Sequence, residues 1–197
     1  ITGDLTTNGE YEGHKELSQK LRDFRAKTGC TIYVINGNHD INVSEASQFP
    51  NGEREDAEPI TAQQFYETYS DLGYDIATEF YGISDGKVKE EANALSYAAL
   101  LDENTQLIVV DSGKYSFGKK EEGHTDGAIS DECLSWICEK ADAATEKPAK
   151  EYKNAHGLRG FAFGEMVDAE NVGAVYLSAI SAAISDAFLL VFSSRIR

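Results

Sequence analysis

Basic residues are scarce in this chain of 197 residues, which has 18 Lys and Arg against 34 Asp and Glu and a formal net charge of −16. An acidic protein repels polyanions, and no local run of Lys and Arg offers a basic groove. We therefore expect no long nucleic acid as a partner. A small anion held on bound cations stays compatible with this charge, because the cations reverse the local field.

Cysteine is rare as well, and the three residues are Cys30, Cys133 and Cys138. Their spacing is not that of a zinc site, and Cys133 and Cys138 are five positions apart on a predicted helix. We expect all three to be reduced thiols buried in the core. This usage favours the cytoplasm, although export stays open.

Long apolar runs are missing too. The most apolar stretch, residues 173–193, is interrupted by Asp186 and by four serines, whereas a membrane span needs ~20 mainly apolar residues. We predict instead a core-facing helix, followed by a buried strand over 187–192. The helix is predicted from apolar side chains that recur every four positions, at Val172, Tyr176, Ile180 and Ile184.

Two short polar turns follow predicted strands near the start of the chain. Gly3 and Asp4 follow a strand stub at Ile1, and Gly37-Asn38-His39-Asp40 follows the apolar run Cys30–Ile35. Between them, residues 8–27 have the spacing of a helix whose apolar face carries His14, Leu17, Leu21 and Phe24. Gly29 then stands where a left-handed helix cap is common. The order strand, helix, strand predicts two parallel strands joined by a right-handed connection.

Both turns are therefore expected at the same carboxyl edge of a sheet, where ligands of open α/β sheets bind. Asp4 can bridge two cations through its two oxygens, and the carbonyl oxygen of Asn38 is a neutral ligand. His39 can donate a proton to a leaving alkoxide, and Asp40 can hold the imidazole in one tautomer. Two metals ~3.5–4 Å apart would generate a hydroxide and clamp a phosphoryl group.

The Gly3-Asp4-Leu5-Thr6 and Gly37-Asn38-His39-Asp40-Ile41 motifs resemble those of the calcineurin-like metallophosphoesterases. The resemblance extends over roughly residues 1–150 to a bacterial branch often assigned to cyclic-nucleotide phosphodiesterases, on three further segments: Ser96-Tyr97, Leu107–Ser112 and Gly127–Trp136. It implies an α/β sandwich of four layers, helix–sheet–sheet–helix, with mixed sheets and a single domain over residues 1–197.

The same resemblance implies a phosphoesterase that hydrolyses a small phosphomonoester or phosphodiester, with a cyclic nucleotide as the leading substrate. It implies two divalent ions, Mn, Fe or Zn, and a metal-bridging hydroxide as nucleophile. Asp4 is the implied bridging ligand and Asn38 a ligand of the second ion. His39 with Asp40 is the implied acid dyad, and His156 is the implied later histidine ligand. The oligomeric state and the choice of metal stay open.

The chain also departs from the family pattern. The Asp-x-His block that precedes Gly-Asp is absent, so we expect the chain to start inside the domain. The expected Gly-His-x-His block is replaced by Ser194-Arg195-Ile196-Arg197, and arginine does not deprotonate to bind a metal. Either the ligands are lost, or residues 151–197 depart from the natural sequence. The alternatives to a phosphoesterase are a metal-poor binding module and, less favoured by the acidic charge, a nuclease.

The other polar residues have simpler interpretations. We expect His14 to be a hydrogen-bonded packing histidine, His124 to be solvated in a loop, and Asp111 to support the site or cap a turn. Arg195 and Arg197 are read as a charged strand end. Thr61 and Gln64 predict a capping box for a helix that buries Phe65, Tyr69 and Leu72. Residues 96–101 and 107–110 predict an antiparallel hairpin.

Overall fold

A computed structural model describes residues 1–102, 105–124, 126–145, 175–176 and 188–193. The described part is a mixed α/β structure with three α-helices and small antiparallel sheets. The helices are α1 (Tyr11–Thr28), α2 (Ala62–Thr68) and α3 (Asp131–Thr145). The strands are β1 (Ser47–Gln48), β2 (Glu55–Asp56), β3 (Ala77–Phe80), β4 (Ile83–Ser84), β5 (Lys87–Val88), β6 (Tyr97–Asp102), β7 (Thr105–Val110), β8 (Val175–Tyr176) and β9 (Phe188–Ser193).

The main sheet has the order β3-β6-β7-β9-β8, and every neighbouring pair is antiparallel. The predicted hairpin is confirmed as β6 and β7, in which Tyr97 is the partner of Val109. Strand β9 confirms the strand predicted over 187–192. Two two-stranded sheets, β1-β2 and β4-β5, complete the described strands. Strands β1 and β2 flank a short 3-10 turn over Pro50–Gly52.

The helix predicted over 172–184 is wrong where the structure describes it. Val175 and Tyr176 form β8, which pairs with β9 through Phe192 and Val191. Val and Tyr have high strand propensity, and tertiary pairing with a neighbouring strand here outweighs the local four-residue period. The other residues of the predicted helix lie outside the described part of the chain.

Helix α1 begins three residues later than predicted and ends at Thr28. Gly29 follows with φ 72°, and its nitrogen donates to the Arg25 carbonyl, which confirms the left-handed cap. Phe24 was expected on the buried face but is 52% exposed. The inner side of the last two turns is occupied instead by Arg22 and Arg25, which both bind the Asp71 carboxylate.

The β6–β7 hairpin separates two clusters of buried side chains. Leu107 and Val109 face the larger cluster, which includes Phe65, Tyr69 and Leu72, all fully buried as predicted. The capping box of Thr61 and Gln64 at the start of α2 is also confirmed. The opposite face of the hairpin packs against α3 through five buried residues: Ala98, Ile108, Val110, Cys133 and Ile137. Because strand side chains alternate, both faces of the hairpin are covered.

Two cysteine predictions are wrong, since Cys30 and Cys138 are exposed and only Cys133 is buried. Cys30 follows the helix cap and precedes the buried part of its segment, which starts at Ile32. Cys138 lies on α3, one position beyond the buried Ile137. No helix in the described ranges has the length and apolar character that crossing a membrane requires.

Candidate active site

The two polar turns come together as the sequence predicts. Thr2 and Ile35 form an isolated parallel bridge, and the Ile35 nitrogen donates to the Ile1 carbonyl at 3.1 Å. The contact is shorter than the pair of full strands that we expected, but it has the predicted direction. The turns that follow, at Asp4 and at Asn38, therefore open on the same side of this bridge.

Two glycines allow these turns to touch backbone to backbone. A Cβ atom on Gly3 would lie 2.4 Å from the Gly37 Cα, and a Cβ atom on Gly37 would lie 2.5 Å from the Asp4 nitrogen. Gly3 also has φ 86°, which side chains rarely adopt. Position 3 therefore needs glycine because of its positive φ and because a Cβ atom has no room there. Position 37 needs glycine only because a Cβ atom has no room there.

Asp4 lies at the meeting point of the two turns. Its backbone is left-handed, with φ 48°, a conformation that Asp tolerates better than most residues. Its Oδ1 accepts a hydrogen bond from the His39 backbone nitrogen at 3.3 Å. Asn38 is only 5% exposed. The structure thus brings together Asp4, Asn38 and His39, and Asp40 contacts both turns as well, so four of the five residues predicted for the site lie here.

The carboxylate of Asp40 binds backbone groups of both turns. Its Oδ2 accepts from the Gly37 nitrogen at 2.6 Å, and its Oδ1 accepts from the nitrogens of Leu5 and Thr6 at 2.8 and 3.2 Å. The side chain is fully buried. Burial raises the pKa of Asp40 to about 7, these backbone hydrogen bonds oppose the rise, and the charge of Asp4 adds to it.

In this structure the Asp40 carboxylate binds backbone nitrogens, and its expected role towards the His39 imidazole stays a prediction. Among the described residues, the Asp40 carboxylate contacts the three backbone nitrogens and the His14 ring. A buried carboxylate needs hydrogen-bond donors, and backbone nitrogens of the two turns supply them. His39 is half-buried. The catalytic roles of His39 and Asp40 stay predictions.

His14 makes contacts that the sequence did not reveal. As expected, it is a buried, hydrogen-bonded residue, with Nδ1 2.8 Å from the Tyr69 hydroxyl. Its Nε2 lies 3.3 Å from the Thr6 Oγ1 and 3.6 Å from the Asp40 Oδ1. Burial lowers the pKa of His14 to about 4, against a smaller opposing effect of the Asp40 backbone. The ring is therefore neutral at neutral pH.

A second buried polar group lies behind the turns. Asp111 follows β7 and accepts hydrogen bonds from the Asn36 side chain at 2.9 Å and from the Tyr115 hydroxyl at 2.7 Å. It also accepts from the backbone nitrogens of Leu95 and Gly113. Burial raises the pKa of Asp111, and its hydrogen bonds with Tyr115 and Asn36 oppose that rise. This agrees with the supporting role expected for Asp111, while Asn36 was missed although it directly precedes Gly37.

The loop after Asp111 lines an open cavity of about 400 Å³ together with residues 90–92 and Ala128. Tyr115, Phe117 and His124 are among its walls, and His124 is exposed as expected. Glu121 of the same loop bridges to Val43, and its nitrogen donates to the Asn42 carbonyl at 2.8 Å. These bonds dock the loop on the chain segment that directly follows Asp40.

The donors brought together here suit a hard or borderline cation in type but not in number. Asp4 and Asn38 offer a carboxylate and a carboxamide oxygen. No group of three His, Cys, Asp or Glu side chains that could hold a metal ion occurs among the described residues. His156, Arg195 and Arg197 lie outside the described part of the chain, so the structure does not test them.

Comparison with known proteins found no relative: no protein-family model matches the chain, and no curated protein matches it.

Proposed function

We propose that this chain carries the Asp4–Asn38–His39 part of a metal-dependent phosphoesterase centre, within a metallophosphoesterase sandwich. The observation that carries the proposal is the hydrogen bond from the His39 nitrogen to the Asp4 Oδ1 across 35 positions of sequence. A Gly-Asp turn and a Gly-Asn-His-Asp turn thus meet at one point, as the family resemblance implies. The substrate is a small phosphomonoester or phosphodiester, with a cyclic nucleotide as the leading candidate.

In this proposal Asp4 and Asn38 hold the metal ions, Mn, Fe or Zn, and further ligands come from outside the described residues, with His156 as the candidate. The bound ions would activate water and neutralise charge on the phosphoryl group. Asp4 is the bridging ligand because a carboxylate has two oxygens. Asn38 is a neutral ligand, so it adds no negative charge to the site that binds the anionic substrate.

His39 is the proposed proton donor. It follows the Asn38 ligand directly, and the residue is half-buried rather than fully enclosed. A general acid must come within hydrogen-bond reach of the leaving oxygen. Asp40 is assigned to the backbone of the two turns, since its carboxylate accepts from three backbone nitrogens.

The test combines metal analysis with hydrolysis of bis-p-nitrophenyl phosphate after loading with Mn²⁺, with p-nitrophenyl phosphate and a cyclic nucleotide as comparison substrates. Asp4→Asn should lose metal and turnover, whereas Asp23→Asn, on the exposed side of α1, should keep both. His39→Ala should keep its metal and lose turnover by about 10²-fold or more, while His124→Ala should keep turnover. Full metal content in Asp4→Asn rejects the ligand role, and unchanged turnover in His39→Ala rejects the acid role.

The rival proposal is a metal-poor module that binds a partner or a phosphoester without hydrolysing it. One feature favours it: Arg195 and Arg197 stand where the family resemblance implies two histidine ligands. Weak or absent Mn²⁺ binding by the unmodified chain, together with no turnover, would support this rival over the phosphoesterase.

A further inference from the structure

We infer that His14 is a positioning residue, which acts through Asp40 and Thr6 to fix the spacing between Asp4 and the Asn38–His39 turn. The inference rests on the proposed function for its effect on metal binding, but the positioning itself is a property of the metal-free chain. It assigns a role to a helix residue that sequence patterning treats as packing alone.

Helix α1 lies between the two turns in sequence and contacts both of them in space through His14. The Nε2 of His14 is 3.3 Å from the hydroxyl oxygen of Thr6, which belongs to the Asp4 turn. The same atom is 3.6 Å from the Oδ1 of Asp40, which belongs to the Asn38 turn. One ring nitrogen on a rigid helix therefore faces side chains from both turns.

The other ring nitrogen of His14, Nδ1, contacts a side chain of the core. Nδ1 lies 2.8 Å from the hydroxyl of Tyr69, which is fully buried beyond the end of α2. When the Tyr69 hydroxyl donates to Nδ1, the neutral ring carries its proton on Nε2. In that tautomer the proton points towards the oxygens of Thr6 and Asp40, whereas the same hydroxyl can also donate to the His14 carbonyl oxygen at 3.4 Å.

Neighbouring aromatic side chains restrict rotation of the His14 ring. It makes edge contacts with Phe65 at 5.7 Å and with Tyr69 at 5.8 Å between ring centres. The imidazole is fully buried. Because the ring is packed on its sides and hydrogen-bonded at Nδ1, the position of Nε2 is tightly restricted. A residue that supports a functional site needs such a restricted position.

Asp40 and Thr6 connect the His14 ring to the two turns. Asp40 accepts from the nitrogens of Leu5 and Thr6, so it fixes the residues that follow Asp4. It also accepts from the nitrogen of Gly37, directly before Asn38. Residues that orient metal ligands in this way typically change metal affinity by 10–100-fold when they are replaced.

The experiment first compares metal-free variants by amide hydrogen exchange. His14→Leu, which keeps bulk but removes the polar ring, should make the amides of Leu5 and Thr6 exchange at least tenfold faster than in the unmodified chain. His14→Gln, which can direct a donor towards Asp40, should restore most of the protection. Tyr69→Phe removes only the hydroxyl that contacts Nδ1 of His14, so it tests the same idea in a chain whose core packing is kept.

Phe65→Leu is the matched control, because leucine keeps an apolar side chain against the His14 ring and neither residue contributes a polar group. Its destabilisation should raise exchange across the core without singling out Leu5 and Thr6. Equal exchange at these two amides in the unmodified chain, His14→Leu and Tyr69→Phe would overturn the inference. So would a Phe65→Leu pattern that matches the pattern of His14→Leu.

The second readout is Mn²⁺ affinity by calorimetry. His14→Leu should weaken binding by about tenfold or more and His14→Gln by less, with Phe65→Leu unchanged. If the unmodified chain binds no Mn²⁺, the proposed function fails while the exchange data still decide the positioning role. If it binds Mn²⁺ and all four variants bind equally tightly, the positioning role fails while the proposed function stands.

Discussion

The carboxylate of Asp40 accepts a hydrogen bond from the backbone nitrogen of Leu5 at 2.8 Å, across 35 positions of sequence. This bond joins the turn that carries Asn38 and His39 to the turn that carries Asp4. Both turns can approach so closely because glycine stands at positions 3 and 37. The proposed centre thus depends on backbone contact as much as on its polar side chains.

Replacement of Asp40 by alanine should lower the free energy of unfolding by about 3 kcal/mol. The change leaves three backbone nitrogens without their acceptor, and an unsatisfied buried donor costs about 1–3 kcal/mol. Denaturant unfolding in metal-free buffer measures the loss. Asp23→Ala on the exposed side of α1 should change the value by less than about 0.5 kcal/mol, and a similar small effect at position 40 would contradict the bridging role.

Gly37→Ala should separate the two turns. The added Cβ would lie 2.5 Å from the nitrogen of Asp4, and that backbone cannot move without breaking the contact. We expect a loss of more than about 2 kcal/mol from forced overpacking. Gly86→Ala is the control, since its Cβ meets nothing within 4 Å and only its φ of 71° opposes the change, at about 1–2 kcal/mol. If Gly86→Ala proves the more costly of the two, the close approach of the turns is wrong.

Tyr115→Phe should lower the free energy of unfolding by about 1.5–3 kcal/mol, the range for hydrogen bonds to charged groups. The hydroxyl donates to the buried Asp111 at 2.7 Å, and Asp111 in turn holds Asn36. Tyr66→Phe is the matched control, because no hydrogen bond of the Tyr66 hydroxyl occurs within the described part of the chain. The two variants should differ clearly in thermal and denaturant unfolding. Equal stabilities would show that Asp111 does not anchor this region.

The buried pair of His14 and Asp40 predicts two opposing pH dependences of stability. The pKa of His14 falls from 6.5 to about 4 on folding, so the unfolded chain binds the extra proton and stability rises with pH over this window. The pKa of Asp40 rises from 3.8 to about 7, so the folded chain binds the extra proton and stability falls with pH from 3.8 to 7. In the unmodified chain the two effects largely offset each other between pH 4 and 6.5.

His14→Gln removes one side of this balance. The difference in unfolding free energy between the unmodified chain and the variant should rise between pH 4 and 6.5, by up to about 3 kcal/mol for a shift of this size. Unfolding curves at several pH values, with a chelator present, measure it. Contributions of groups distant from the substitution cancel in the difference. A flat or falling difference would mean that His14 does not carry a lowered pKa.

Local sequence signals predicted the parts of the structure that local chemistry decides. The hairpin of β6 and β7, the Thr61 capping box and the Gly29 cap all depend on residues within a few positions of one another. The meeting of Asp4 with the Asn38 turn was predictable because a strand, a helix and a second strand constrain where the turns open. The predicted helix failed at Val175 and Tyr176 because their pairing with β9 is not visible in the local sequence.

The supporting contacts of the site were not predictable for the same reason. Asn36 and Asp111 are 75 positions apart, and the contact of His14 with Tyr69 spans 55 positions. The adjacency of His39 and Asp40 in sequence suggested a pair, but it did not show that three backbone donors would take the carboxylate. His14 fell on an apolar helix face, and its periodicity is the same for a packing and for a positioning residue.

The most direct test of the central claim is electron paramagnetic resonance of the chain with two equivalents of Mn²⁺. A carboxylate that bridges two ions ~3.5–4 Å apart couples their electron spins. We predict a spin-coupled spectrum for the unmodified chain and for Asp23→Asn, and its loss in Asp4→Asn. A spectrum of isolated Mn²⁺ in the unmodified chain, or no bound Mn²⁺ at all, would contradict a dinuclear centre at Asp4.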